Sequence, residues 1–171
     1  MDIIKATLSD FDMFFSEIEK NFIPDERRDY EDALRLFKEG KYEIIQFLTD
    51  GEKVGFITVW TISDFVFAEH FVIFEKYRNR GLGARALNKL KDTFSKIVLE
   101  AETPETDIAK RRLAFYERCG FIRNEQEYFQ PAYRDNGSEV PLVIMSYPSV
   151  LNNFGVATEL IRQNVYFKNR Q

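Results

Sequence analysis

The segment Phe67-Ala68-Glu69-His70-Phe71-Val72-Ile73-Phe74-Glu75-Lys76-Tyr77-Arg78-Asn79-Arg80-Gly81-Leu82-Gly83-Ala84 decides how this chain is read. Its first half is apolar and rich in β-formers, its middle is basic, and Gly81 and Gly83 open a strongly helical sequence. A glycine-bared loop at a helix start leaves backbone N–H groups unpaired at the positive end of the helix dipole, which suits a phosphate ligand. Arg78 and Arg80 stand where guanidinium groups complete such a site through charge-assisted hydrogen bonds.

Outward from this segment, the chain reads as alternating strands and helices. Residues 2–7 form a short strand, and Ser9 or Asp10 caps a helix with Phe11, Phe14, Phe15, Ile18 and Phe22 at helical spacing. Pro24 stops that helix. A second helix spans 27–39 with Tyr30, Leu34 and Phe37 on one face and Gly40 just past its end. Strands at 42–49 and 54–62 flank an Asp50-Gly51 turn, and a third strand covers 65–74. After the glycine loop come a helix to about Phe94, a buried strand at 97–101, a helix at 106–119 and a strand at 121–130 that ends at Pro131. The Asp135-Asn136-Gly137-Ser138 turn leads to a last strand at 140–147, and a tail helix spans 150–166. No repeat, linker or low-complexity stretch interrupts this pattern. One α/β domain over residues 1–171 is expected, with a core at 1–147 and a C-terminal helical extension at 148–171.

Composition narrows the function classes. A chain of 171 residues with 44% hydrophobic and 30% charged residues supports one well-cored domain and excludes disorder as its main state. The net charge of −4 carries no long block of one sign, which argues against a nucleic-acid arm. A single cysteine, Cys119, excludes an internal disulfide, and a single histidine leaves little for a zinc site, so no metal is expected. No apolar run approaches the ~18 residues that span a membrane, and the N-terminus does not read as a signal peptide. A cytoplasmic protein with no membrane or nucleic-acid partner is the expectation.

The glycine loop has two chemical readings. Gly81-Leu82-Gly83-Ala84-Arg85-Ala86 fits the dinucleotide pattern G-x-G-x-x-A, with Glu100 or Glu102 about 20 residues on. In that fold the first glycine follows its strand at once, whereas Glu75–Arg80 intervene here. An arginine-flanked glycine loop is better matched to a pyrophosphate with an additional ribose phosphate.

The order strand, Arg78-x-x-Gly81-x-Gly83, helix resembles the acyl-CoA loop of the GNAT N-acetyltransferase superfamily, with Glu75 and Asn79 replacing a usual Pro and Gly. Phe115-Tyr116-Glu117-Arg118-Cys119-Gly120-Phe121 resembles that family's second landmark, a helix ending in Tyr-x-x-x-Gly-Phe. Gln130-Pro131-Ala132-Tyr133 resembles a bacterial subgroup with Gln-Pro-x-Tyr after that strand. The resemblance implies a GNAT fold: a central mixed, mostly antiparallel sheet of six to seven strands, flanked by helices and splayed at the cofactor strand. It departs at Ala109, where many members carry a cofactor-contacting Asn; Arg111 or Arg112 stands nearby to compensate.

The resemblance also implies a chemistry: transfer of an acetyl group from acetyl-CoA to a primary amine, small or peptide-borne, by direct attack in a ternary complex. The cofactor contacts it implies are Phe71, Val72 and Ile73 along the pantetheine arm, Arg78, Asn79, Arg80, Gly81, Leu82, Gly83 and Ala84 at the pyrophosphate, and Tyr116 near the sulfur. Glu69 is the expected base and Tyr116 the expected acid. On a regular strand Phe67, Glu69, Phe71 and Ile73 share one face and His70 and Val72 the other, which makes His70 a packed side chain. Glu100, Tyr128, Gln130 and Tyr133 are the expected acceptor-binding residues, and Cys119 reads as a small buried hydrophobe rather than a nucleophile. The rival reading is an inactive acyl-CoA-binding sensor or scaffold. The apolar C-terminal helix either packs on the sheet or buries itself in a homodimer.

Overall fold

A computed structural model describes residues 1–134 and 137–167. Asp135 and Asn136 of the expected turn, and residues 168–171, lie outside the described residues. The chain opens with β1 (Asp2–Lys5), and a 3-10 turn at Leu8–Asp10 leads into α1 (Phe11–Asn21). Asp10 stands at the N-cap of α1, as expected, but its carboxylate turns back to accept the Thr7 N–H at 2.9 Å and closes a capping box around the 3-10 turn. α1 buries Phe11, Phe14, Phe15 and Ile18, each contributing about 1.5–3 kcal/mol. Arg27 and Asp29 are extended, so α2 (Tyr30–Lys38) starts three residues late and Arg28 stays outside the helix.

Next comes a meander of β2 (Glu43–Thr49), β3 (Glu52–Ile62) and β4 (Phe65–Ile73). Asp50 and Gly51 both have positive φ (53° and 78°), as a tight β-hairpin turn requires. The rest of the chain forms α3 (Leu82–Thr93), β5 (Ile97–Glu102), α4 (Asp107–Arg118), β6 (Ile122–Arg123), β7 (Tyr128–Gln130), β8 (Val140–Tyr147) and α5 (Phe154–Ile161). A π-helical turn, Arg162–Phe167, follows α5 directly.

The eight strands of the described residues join one sheet in the order β1-β2-β3-β4-β5-β8-β6, with β7 also paired to β8. Among the described residues every strand pair is antiparallel except β4 with β5. One strand was expected at 121–130; two short ones form. Asn124 divides them: its side-chain amide donates to Ile144 O and Ser146 Oγ while its Oδ1 accepts the Leu151 N–H. That side chain ties the segment between the strands to β8 and to the start of the tail.

Two cores lie on the two faces of the sheet. One gathers α1, α2 and α5 over Phe56, Phe67, Val98 and Ile144; the other gathers α3 and α4 over Ile57, Val66, Leu99 and Met145. α5 buries Ala157, Thr158 and Ile161 on the first of these cores. The C-terminal helix thus packs on its own sheet.

Candidate active site

The sheet opens where its single parallel pair parts. β4 and β5 pair only through Val66–Ile97, Phe67–Val98 and Ala68–Leu99. Beyond that point Glu69–Ile73 of β4 stays on β3, and Glu100–Glu102 of β5 stays on β8. A cavity of about 680 Å³ fills the wedge between them, and the strand edges facing it carry backbone N–H and C=O groups that this sheet leaves unpaired.

At the wide end of the wedge stands the glycine loop. A 3-10 turn, Glu75–Tyr77, separates β4 from it, so the loop does not follow its strand directly. Asn79 and Gly81 take left-handed conformations (φ 60° and 71°), and Gly81 sits at the N-cap of α3. Without a Cβ, Gly81 takes this turn free of strain. The first N–H groups of the twelve-residue α3 are then free to meet an anion. Arg78 folds back, donating to Ile73 O at 3.0 Å and to Asn21 Oδ1 at 2.6 Å, which fixes the loop to β4 and α1.

Most of the expected cofactor residues line this one cavity: Phe71, Val72, Ile73, Arg78, Asn79, Gly81, Leu82, Gly83, Ala84 and Tyr116. Arg80 does not; its guanidinium lies 6.0 Å from the Tyr77 ring. Arg111 and Arg112 of α4 line the wall, with Arg112 within 2.9 Å of Glu102. Tyr116 is buried, and that burial raises its hydroxyl to about 12.

A β-bulge overturns the simple alternation expected for β4. Ile57 pairs with Phe71 and Val59 with Ala68, so Thr58 stands opposite both Glu69 and His70. A bulge inserts one residue and resets the period-two pattern. Glu69 and His70 therefore turn to the same side, 3.7 Å apart, while Phe71 and Ile73 pack on the opposite core. The His70 backbone N–H donates to Thr58 Oγ1, and its Nε2 donates to Glu26 O at 3.1 Å, which leaves Nδ1 facing the Thr58 hydroxyl at 3.3 Å. Burial holds His70 below its ordinary value, hence neutral.

Glu69 sits in a clamp of donors. Arg28 donates to its Oε1, as does the Tyr133 hydroxyl at 2.8 Å, and Trp60 Nε1 donates to Oε2 at 2.8 Å. The Arg28 guanidinium is held between the Trp60 and Tyr133 rings, 4.8 and 4.7 Å from their centroids. Burial alone would raise the Glu69 carboxyl, but the Arg28 guanidinium and the Trp60 hydrogen bond bring it below the ordinary glutamate value. It stays ionised and fully engaged.

Glu100 is placed differently. It lines the cavity from β5, and only two hydroxyls, those of Tyr128 (to Oε1) and Tyr166 (to Oε2, 2.7 Å), donate to it among the hydrogen bonds of the described residues. Burial raises it to about 7 against those two hydrogen bonds, with Glu69 adding to the rise and Arg28 opposing it. Gln130 and Tyr133 line the cavity beside it, whereas Tyr128 stands behind the carboxylate and outside the lining.

Arg28, Trp60 and Tyr166 carry no signal in the sequence: their partners lie 41, 9 and 66 residues away and no local pattern pairs them. Cys119 is buried at the C-cap of α4, outside the cavity lining. Among the described residues no three His, Cys, Asp or Glu side chains gather as a metal site, and no helix is long and apolar enough to cross a membrane.

The family model for the GNAT acetyltransferases matches residues 8–121. Among solved structures, a protein of Bacteroides thetaiotaomicron assigned to the same family superposes with a TM-score of 0.92 at 29% identity, over 97% of this chain and 98% of that one. A spermidine N-acetyltransferase from Vibrio cholerae superposes with a TM-score of 0.64 at 13% identity, covering 96% of this chain and 98% of that one. An aminoglycoside 6'-N-acetyltransferase complexed with coenzyme A gives 0.60 at 16% identity, covering 85% and 96%. At such identities the last two speak for the fold alone. No curated protein sequence matches the chain.

Proposed function

This chain belongs to the acetyltransferase (GNAT) family, and from that premise we propose that it transfers an acetyl group from acetyl-CoA to a primary amine held beside Glu100. The observation that carries the reading is that one cavity, in the wedge between β4 and β5, is lined by the glycine loop, Tyr116 and Glu100 together. The residues present fit the cofactor. Free N–H groups at the start of α3 suit the pyrophosphate, the open β4 edge at Phe71–Ile73 suits the amide-bearing arm, and the walls between are largely apolar.

When bound, acetyl-CoA supplies the thioester whose C–S bond breaks as the new C–N bond forms. An N–H of the β4 edge donates toward the carbonyl oxygen, where charge develops. Glu100 accepts the proton that the ammonium must lose before its nitrogen can attack. A carboxylate raised to about 7 is matched to that task near neutral pH. Tyr116, kept protonated by burial, would give its hydroxyl proton to the departing sulfur and take up the second proton that the nitrogen sheds as the amide forms.

Sequence reasoning put the base at Glu69, and the geometry supports another part for it. A carboxylate already held by Arg28, Trp60 and Tyr133, and depressed rather than raised, is a weak proton acceptor. We assign Glu69 to holding Tyr133 and Arg28 in place beside the acceptor. Solved proteins of this fold are named for spermidine, aminoglycoside and ribosomal-protein alanine acceptors, so the fold does not choose the amine. Glu100→Gln tests the assignment in an assay of acetyl-CoA-dependent thiol release with a panel of amines. The variant should lose about 10²–10⁴-fold in kcat at neutral pH. Wild-type turnover in Glu100→Gln would remove Glu100 from the reaction, and no turnover by wild type on any amine would favour the scaffold reading.

A further inference from the structure

Resting on the reading of Glu100 as proton acceptor, we propose that the C-terminal segment is part of the active site: Tyr166, together with Tyr128, clamps both oxygens of Glu100 and sets the pH at which that carboxylate takes up a proton. The family model matches residues 8–121, so both tyrosines lie outside the matched region.

Several independent contacts hold the segment against the site. Arg28, already paired with Glu69, also donates through Nη2 to Val165 O. Arg162 Nη2 donates to Phe129 O at 3.0 Å, which joins the π turn to β7. The Tyr166 ring packs 5.0 Å from the Tyr133 ring, and Val165 and Tyr166 are both buried. The Tyr166 hydroxyl thus reaches Glu100 Oε2 from a fixed direction, while Tyr128 reaches Oε1 from β7. π-helical turns of this kind recur at functional sites, where they redirect side chains.

The charged and titratable groups around Glu100 come from every neighbouring element: Tyr128 from β7, Tyr166 from the tail, Glu69 from β4, Arg28 from before α2, and Tyr133 beyond β7. On the β8 side its pairing partner is the apolar Ile144. Tyr128 and Tyr166 are the two hydrogen-bond donors to it, and both stabilise the charged carboxylate. Losing either leaves the charged form less favoured. As a positioning residue, Tyr166 touches the proton acceptor and not the substrate.

Tyr166→Phe keeps the ring and removes only the hydroxyl. Two readouts test it: a carbon-detected NMR titration of the glutamate carboxyls, with Glu100 assigned by its absence from Glu100→Gln, and the pH profile of kcat. The expected result is an upward move of the Glu100 midpoint, and of the acidic limb of the profile, by about one pH unit, the size expected for one lost hydrogen bond to a charged group. Tyr128→Phe should move both in the same direction, and it serves in place of Tyr166→Phe if that variant folds poorly. An unmoved Glu100 midpoint in a folded variant overturns the clamp. A moved midpoint with full turnover in Glu100→Gln leaves the clamp standing and overturns Glu100 as the acceptor.

Discussion

Glu69→Gln should cost this protein heavily in stability, because it strips the charge from a buried ion pair. The Arg28 and Glu69 side chains are only 8% and 3% exposed, so removing the carboxylate charge leaves a cation buried without its counter-ion. Breaking a buried pair in this way costs about 3–5 kcal/mol. The glutamine amide also turns an N–H₂ toward one of three donors, Arg28, Tyr133 or Trp60, an unsatisfied contact of about 1–3 kcal/mol. We predict a loss of about 4 kcal/mol. For a chain of this length each kcal/mol lowers Tm by about 2–4 °C, so the melting point should drop by roughly 8–16 °C. Urea unfolding measures it, with Arg28→Met and the double variant completing a cycle; the double variant should recover most of the loss because no lone charge is then buried. The pH dependence has a definite sign. The Glu69 carboxyl is depressed in the folded state, so its contribution is present at neutral pH and is lost as the pH falls below the ordinary glutamate range. Glu69→Gln should lack that acid-induced loss. A single-variant cost below about 1 kcal/mol, the level of a surface pair, would refute the buried clamp.

Gly83→Asp should weaken acetyl-CoA binding by roughly 30- to 1000-fold in calorimetry, because an anion at the start of α3 repels the pyrophosphate by about 2–4 kcal/mol. Gly83→Ala is its control, since a Cβ there meets the Phe115 ring at 3.2 Å; equal loss in both variants would mean that crowding, not charge, is at work. Tyr116→Phe should lower kcat about tenfold to hundredfold with little change in acetyl-CoA affinity, as the buried hydroxyl is protonated throughout the neutral range. Glu100 is raised from 4.5 to about 7 by burial. Its stabilising contribution is therefore full below the ordinary glutamate value and lost as the pH rises through the folded value. Urea midpoints of the wild type should fall between pH ~5 and ~8 by more than those of Glu100→Gln; parallel curves would contradict the raised value.

Local chemistry made much of the fold legible. The positive-φ turn at Asp50-Gly51, the helix opening at Gly81 and the strand-helix order all follow from short-range rules that nothing in the tertiary structure overrides. Where reading failed, a distant partner had changed the local rule. The face assigned to His70 rested on strict alternation, and the bulge that breaks it depends on how β3 registers against β4. The 121–130 segment reads as one strand until the Asn124 side chain bonds to β8 and the tail. The site divides in the same way. The glycine loop and Tyr116 announce themselves by motif, whereas Arg28 looks like one more surface arginine in Arg27-Arg28-Asp29 until it is seen between two aromatic rings. Glu100 and Glu69 are both glutamates on strands. What separates them is a guanidinium beside one and only hydroxyls beside the other, information that lies wholly in the packing.

Calorimetric titration of the purified protein with acetyl-CoA, with NADH in parallel, tests the central claim most directly. The wedge between β4 and β5, with the α3 N-terminus at its wide end, predicts one-to-one binding of acetyl-CoA with a Kd in the range of about 1 μM to 1 mM, and no heat from NADH. Binding of NADH, or no binding of acetyl-CoA, would contradict it.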